Sequence, residues 1–241
     1  MKHNEEHFPE YLMNAKSGEA RISAGALLPH EIIQSLDDPN GREVAELQWK
    51  RMVEDLLKAR KLENCIAVCD ISGSMEAYFS MEAGPMEVSD TLGILASELS
   101  KEPWKGKVIT FSEIPQFHLV EGDDLTEKSW FVRDMDRGHN MDFQKVFDLI
   151  LEVAKNRKLS SDQIVKRVFV FSDIEFDQAS KNPWETNHLV IKRKFREAGY
   201  EDAVPQIVFW NLRASRLTPV CMDQDGIALV SGFSRLDQDI P

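Results

Sequence analysis

Five short apolar runs limit what this chain can become: Cys65–Cys69, Val108–Phe111, Val168–Phe171, Ile207–Trp210 and Ile227–Val230. Each is four or five residues long, β-branched or aromatic in character, and bounded by Gly, Asp, Ser or Pro. Runs that stay apolar instead of alternating suit strands covered on both faces, as in a parallel sheet. Gln116–Val120 alternates more and suits an edge strand or a hairpin partner. Amphipathic helices lie between the runs. One carries Val88, Leu92, Leu95 and Leu99, and a second carries Phe143, Val146, Phe147, Ile150, Leu151 and Ala154. A third, Asn187 to Glu197, is rich in Lys and Arg. Strand alternating with helix predicts an α/β fold, a doubly wound and mostly parallel open sheet of Rossmann-like build.

The chain ahead of Glu63 reads differently. Pro29 suits the first turn of a helix containing Ile32, Ile33 and Leu36, and Asp37-Asp38-Pro39-Asn40-Gly41 supplies the turn that ends it. Trp49, Met52, Val53, Leu56 and Leu57 then recur at helical spacing. This stretch has too few apolar positions for a core of its own. Residues 1–62 are therefore expected as a helical N-terminal extension packed on a main domain at 63–234, with a polar tail at 235–241.

The 241 residues hold 29 Lys plus Arg against 41 Asp plus Glu, a net charge of −12. A polyanion would meet overall repulsion, so nucleic-acid binding would need a local basic patch or a bridging cation. The 3 cysteines do not make a disulfide framework. No run approaches the roughly 20 apolar residues of a membrane span, and the start Met1-Lys2-His3-Asn4-Glu5-Glu6 lacks the apolar core of a secretory signal. No membrane contact is expected. The expected setting is intracellular, cytoplasmic by default, with an organelle open if an upstream targeting segment has been removed.

Ligands of open α/β sheets bind at the carboxyl ends of the strands, so the residues after each run matter most. Cys65–Cys69 is followed by Asp70-Ile71-Ser72-Gly73-Ser74, and Val168–Phe171 by Ser172-Asp173-Ile174-Glu175. Asp70, Ser72 and Ser74 alternate, so an extended loop would aim their oxygens at one point while Gly73 lets the backbone bend. Asp173 adds a carboxylate from another strand end. Two carboxylates and two hydroxyls without His or Cys suit a hard cation, Mg²⁺ or Ca²⁺, with Mn²⁺ a third candidate. The same residues also read as strand-end turns that cap the following helices.

Asp70-Ile71-Ser72-Gly73-Ser74 after a buried strand, with a later strand ending Phe171-Ser172-Asp173, resembles a von Willebrand factor A (vWA) domain and its metal-ion-dependent adhesion site (MIDAS). The likeness spans roughly Glu63 to Phe233. More narrowly, Leu27-Leu28-Pro29-His30, Leu47-Gln48-Trp49, the run Cys65-to-Met75 and Asp142-Phe143-Gln144-Lys145-Val146-Phe147-Asp148 are similar to a DUF2828/DUF7788-type family whose C-terminal part is vWA-like. The Ro RNA-binding proteins are a more distant vWA relative with an attached helical-repeat ring. The resemblance implies that Ser72 and Ser74 ligate Mg²⁺ through their hydroxyls, while Asp70 and Asp173 hold it through water or hydrogen bonds. An ion so held keeps charge and an open position for a partner's carboxylate, which is binding and not hydrolysis. At the family's distant Thr this chain has Met141, a soft thioether unsuited to Mg²⁺. Asn140 or Asp142 would have to supply the missing oxygen, and Asp142 would favour Ca²⁺. The family continues after Ser231-Gly232-Phe233 with an apolar helix, whereas Ser234–Pro241 here is polar, so that helix is not expected in this stretch.

Other residues carry less. Cys65, Cys69 and Cys221 read as small buried hydrophobes. His139 reads as a loop histidine beside the site. Lys192, Arg193, Lys194 and Arg196, with Lys166 and Arg167, read as a solvated basic face or as an RNA or acidic-partner contact. Trp210 reads as packing, and Tyr78 and Phe79 as a contact surface. Three functions compete. The first is a non-enzymatic, cation-dependent module that binds a protein partner through an acidic side chain. The second is an RNA-binding or RNA-processing scaffold, with RNA a secondary partner. The third is a haloacid-dehalogenase-like phosphatase, against which Ser72 stands where that chemistry needs an acidic proton donor. No catalytic residue is assigned.

Overall fold

The computed structural model describes residues 13–14, 27–38, 41–59, 62–76, 84–136, 138, 141–174, 184–212 and 226–231. Ahead of the sheet lie the helices α1 (Pro29–Gln34) and α2 (Arg42–Ala59). The alternating part follows as β1 (Cys65–Cys69), α3 (Pro85–Leu99), β2 (Lys107–Thr110), β3 (Phe117–Leu119), α4 (Leu125–Arg133), α5 (Phe143–Arg157), β4 (Arg167–Ser172), α6 (Trp184–Glu197), β5 (Gln206–Asn211) and β6 (Ile227–Ser231). All five apolar runs are strands.

The strands form one sheet in the order β3-β2-β1-β4-β5-β6, parallel throughout except for β3, which runs antiparallel to β2 at the edge. From β1 the chain steps outward through β2 and β3, then crosses back to lay β4 on the other side of β1. Strand order therefore reverses between β1 and β4. In such sheets this switch point opens a crevice beyond the strand ends, because the connections on its two sides leave in opposite directions.

Helices cover both faces, which explains why the strands are apolar at successive positions. Cys65, Ala67, Cys69, Phe169, Phe171, Val208 and Trp210 face one layer of helices, α1 to α4. Ile66, Val68, Val168, Val170, Ile207 and Phe209 face the other, α5 and α6. The N-terminal helices share the first core through Ile32, Ile33, Leu36, Ala45 and Trp49. Trp49 also donates from Nε1 to Glu98 Oε2 of α3 at 2.9 Å, and Lys128 of α4 donates to the other oxygen of that carboxylate at 2.7 Å. Pro29 occupies the first turn of α1, as its fixed φ favours. Leu57 departs from the expected apolar stripe of α2 and is exposed.

Helix α4 has no clear signature in the sequence. Its apolar positions are sparse, and its start is written in polar residues: Asp124 accepts from Glu127 N at 2.8 Å as the N-cap, and Glu127 Oε2 accepts from Asp123 N. On α3, Gly93 allows close approach to β1, since a Cβ there would lie 2.3 Å from Cys69 Sγ.

Candidate functional site

The register Cys69↔Phe171 sets the ends of β1 and β4 side by side at the switch point. Asp70 continues the ladder one step, its N donating to Phe171 O at 3.0 Å. The chain then turns, Met75 N donating to Ser72 O at 3.0 Å, and winds into a 3₁₀ turn at Gly73–Glu76. The loop is therefore a turn and not the extended loop expected. Nor does it need its glycine: Gly73 avoids the left-handed region, and a Cβ there would meet nothing within 4 Å.

Asp70, Ser72, Ser74 and Asp173 nonetheless converge. Ser72 Oγ lies 3.0 Å from Ser74 Oγ, and Ser74 Oγ donates to Asp173 Oδ1 at 3.0 Å. A hydroxyl has one proton to give. Ser74 gives its proton to Asp173, so the proton between the two serines comes from Ser72. Both protons point along the chain toward the carboxylate, which leaves lone pairs on both hydroxyl oxygens available to a positive charge. Asp70 is engaged differently: Oδ1 accepts from Ser72 N at 2.9 Å, and Oδ2 accepts from the Ser172 hydroxyl. It shapes the turn from behind.

Asp70 and Asp173 are 1% and 3% exposed, yet Ser74 lies open to solvent. Burial raises the Asp70 pKa above the ordinary carboxylate value; hydrogen bonds from Ser172 and Ser72 oppose the shift, and the Asp173 charge adds to it. Two buried carboxylates at adjacent strand ends favour a compensating cation at this spot. Among the described residues no group of three or more His, Cys, Asp or Glu forms a metal cage, so the hydroxyl-bearing set carries the metal argument. The donors are all hard oxygens, which fits Mg²⁺, Ca²⁺ or Mn²⁺.

Met141 is 2% exposed and packs in the core beneath α5, with Phe111 and Phe143 in the same cluster. Asp142, expected as a candidate ligand, serves as the N-cap of α5, accepting from Lys145 N at 3.2 Å, and forms an ion pair with Lys145 Nζ at 3.7 Å. Asn140, His139, Tyr78, Phe79, Cys221 and the tail at 235–241 lie outside the described residues. Ser172 was not singled out as a site residue, although its place one step past the β1 register partner marks it. Cys65 and Cys69 are buried thiols; burial pushes the first up to about 11 and the second further. Trp210 is fully buried with its ring 6.0 Å from that of Phe171. In the basic cluster, Lys194 pairs with Asp148 at 2.7 Å, Arg193 with Glu197 at 3.8 Å and Arg196 with Glu201 at 3.5 Å.

A family model described as a domain of unknown function (DUF7788) matches residues 64–236, the sheet and its crevice included. The chain belongs to the DUF7788 family. A second model, DUF2828, matches residues 1–62, so the family boundary of this DUF7788 chain falls just ahead of β1. An uncharacterized protein of Acanthamoeba polyphaga mimivirus is 34% identical over 230 residues, covering 94% of the DUF7788 chain and 39% of that relative. The crystal structure of the Deinococcus radiodurans Ro (RSR) protein is similar with a TM-score of 0.59 at 14% identity, over 97% of this chain and 47% of that one. The chain thus spans less than half the length of either. The likeness to the Ro protein is one of fold, and that fold is vWA-like, an α/β doubly wound sheet. No helix among the described residues is long and apolar enough to cross a membrane.

Proposed function

We propose that this chain is a non-enzymatic, divalent-cation-dependent interaction module that engages a protein partner through a MIDAS-type site in the β1–β4 crevice. The observation that carries the reading is the line of oxygens Ser72 Oγ, Ser74 Oγ and Asp173 Oδ1, each 3.0 Å from the next, at the strand switch point. Ser72 and Ser74 would hold the ion, with Asp173 and Asp70 orienting their hydroxyls and turn. A cation held by neutral hydroxyls supplies an electrophilic contact for one carboxylate of a partner. The chain's own residues do the rest: the buried Asp70 fixes the Ser72 amide, and the solvent-facing Ser74 leaves the site open to a large partner.

A catalytic reading gains nothing from the geometry. Ser72 stands where a haloacid-dehalogenase-type acid would be needed, and its proton is directed at Ser74. A generic phosphatase substrate is expected to show no turnover. The RNA reading draws on the exposed Lys192, Arg193 and Arg196 of α6, but local carboxylates pair with Arg193 and Arg196, which lowers the charge offered to a phosphate backbone.

Thermal melts test the proposal. After EDTA treatment, Mg²⁺, Ca²⁺ or Mn²⁺ should raise the melting temperature, by the equivalent of about 2.7 kcal/mol at a hundred times Kd. Ser74→Ala should abolish the rise while melting normally without metal. Equal rises in both proteins would defeat the reading.

A further inference from the structure

A second surface lies on α4, clear of the oxygens described above. Glu127, Trp130, Phe131 and Asp134 fall at i, i+3, i+4 and i+7 and present one side of the helix and its C-cap. With Glu121 and Gly122 of the preceding loop and Arg133 of the helix they line an open groove of about 610 Å³. Gly122 builds its wall. Its φ is +131°, and a Cβ would sit 2.7 Å from both Glu127 Cβ and Lys128 N, so the loop lies hard against the helix. Phe131 is half-buried and packs on the core, which makes the floor rigid. Trp130, by contrast, is 65% exposed, an indole face turned to solvent on an ordered helix.

The charges around this indole are one-sided. Glu121, Asp123, Asp124, Glu127, Asp134 and Asp136 crowd one short stretch together with Lys128, Arg133 and Arg137, the last of which lies outside the described residues. Lys128 and Arg133 are drawn toward α3: Lys128 to Glu98 at 2.7 Å, and Arg133 to the fully buried Asp90. Their charge is spent on the helix beneath. Beside Arg133, whose charge the Asp90 carboxylate balances, the groove offers outward an aromatic face rimmed by carboxylates, the pairing that recognises ammonium and guanidinium groups through cation–π and ionic contacts together.

We propose that the α4 groove docks an Arg- or Lys-bearing segment of a partner protein, with one cationic side chain over Trp130 and the flanking ones on Glu121, Glu127 and Asp134. The surface is distinct from the cation site in both position and sign, since it takes a basic partner segment where the crevice would take an acidic one. Lys194 and Arg196 of this chain's own α6 sit on the opposite sheet face and are paired there with neighbouring carboxylates, and the occupant proposed is a partner chain.

The test is titration of a fluorescein-labelled peptide alternating arginine and glycine into the full chain, in EDTA so that the metal site plays no part, read by anisotropy. Trp130→Ala, and separately the pair Glu121→Gln with Glu127→Gln, should each weaken binding about tenfold. The pair Glu152→Gln with Glu197→Gln makes the same change in net charge on the other sheet face and should leave affinity within about twofold. Melting curves establish that each variant is folded, and intrinsic fluorescence should change on peptide addition in the parent but not in Trp130→Ala. The proposal is overturned by an unchanged affinity in Trp130→Ala, or by equal losses in the two Glu→Gln pairs. It is also overturned if an oligouridylate probe binds in the same assay and Trp130→Ala removes that binding.

Discussion

Replacing Gly93 by Ala probes the contact between α3 and β1 on which the position of Asp70 depends. In the middle of a helix this change by itself would stabilise the fold by up to about 1 kcal/mol. Here the new methyl would sit 2.3 Å from Cys69 Sγ, more than 1 Å inside ordinary contact, while its next neighbours, Cys69 Cβ and Val108 Cγ1, are at a comfortable 3.9 Å. The clash is thus with one atom in a fully buried, close-packed layer. Overpacking of this kind costs about 1–3 kcal/mol, and the short distance argues for the upper half of that range. The net expectation is destabilisation by about 1–2 kcal/mol. Cys69→Ala alone should cost about 1 kcal/mol or somewhat more for the small void it leaves. Because it removes the clashing sulfur, the double variant should be more stable than the sum of the singles predicts, by about 2 kcal/mol, well beyond the few tenths expected of independent sites. Urea unfolding of the four proteins measures this coupling directly. If Gly93→Ala matches or exceeds the parent, or the two changes simply add, the close-approach argument is wrong.

Other expectations follow from the same structure. Asp90 is fully buried and its pKa is pushed up to about 6, burial outweighing Arg133 and the hydroxyls of Ser129 and Thr91. A raised folded-state carboxyl binds its proton more tightly than the unfolded chain, so its contribution to stability falls as pH rises through the window from about 4 to about 6. Asp90→Asn should flatten that part of the urea-midpoint profile, and an unaltered slope would count against the burial argument. The Asp70 pKa is also raised, so metal affinity should fall with acidification at a higher pH than for an exposed aspartate, as isothermal titration across pH would record. Trp49→Ala should cost about 3–5 kcal/mol by emptying the seat of α2 on the core, while Trp49→Phe should cost only about 1 kcal/mol for the lost bond to Glu98. A denaturation midpoint for Trp49→Ala equal to that of the parent would mean that the N-terminal helices are not part of the folded core.

The strands and most helices were legible because burial on both faces imposes a pattern that short sequence windows display. Cys65–Cys69 and Val168–Phe171 are apolar at every position for that reason, and their ends point to Asp70 and Asp173. Helix α4 was not legible by periodicity, because Leu125, Val132 and the nearby Met135 are its only fully buried apolar residues, while Thr126 and Ser129 share the buried face and Trp130 is exposed. Its signal lay instead in the Asp124–Glu127 cap. At the site, spacing gave the four oxygen-bearing residues but not their wiring. That Ser172 holds Asp70 from the next strand follows from register, which arises only when the sheet assembles. Asp142 drew notice because it neighbours Met141; that it also caps α5 through Lys145 N is a feature the spacing did not show.

Soaking crystals of this chain in Mn²⁺ and measuring anomalous scattering would test the central claim most directly. The expected result is one strong peak at the mouth of the β1–β4 crevice, within the ion's normal bonding range of about 2.0–2.6 Å from Ser72 Oγ and Ser74 Oγ, with Asp173 close behind. A well-ordered crevice without a peak, or a peak held by other residues while these hydroxyls keep their mutual hydrogen bonds, would contradict it.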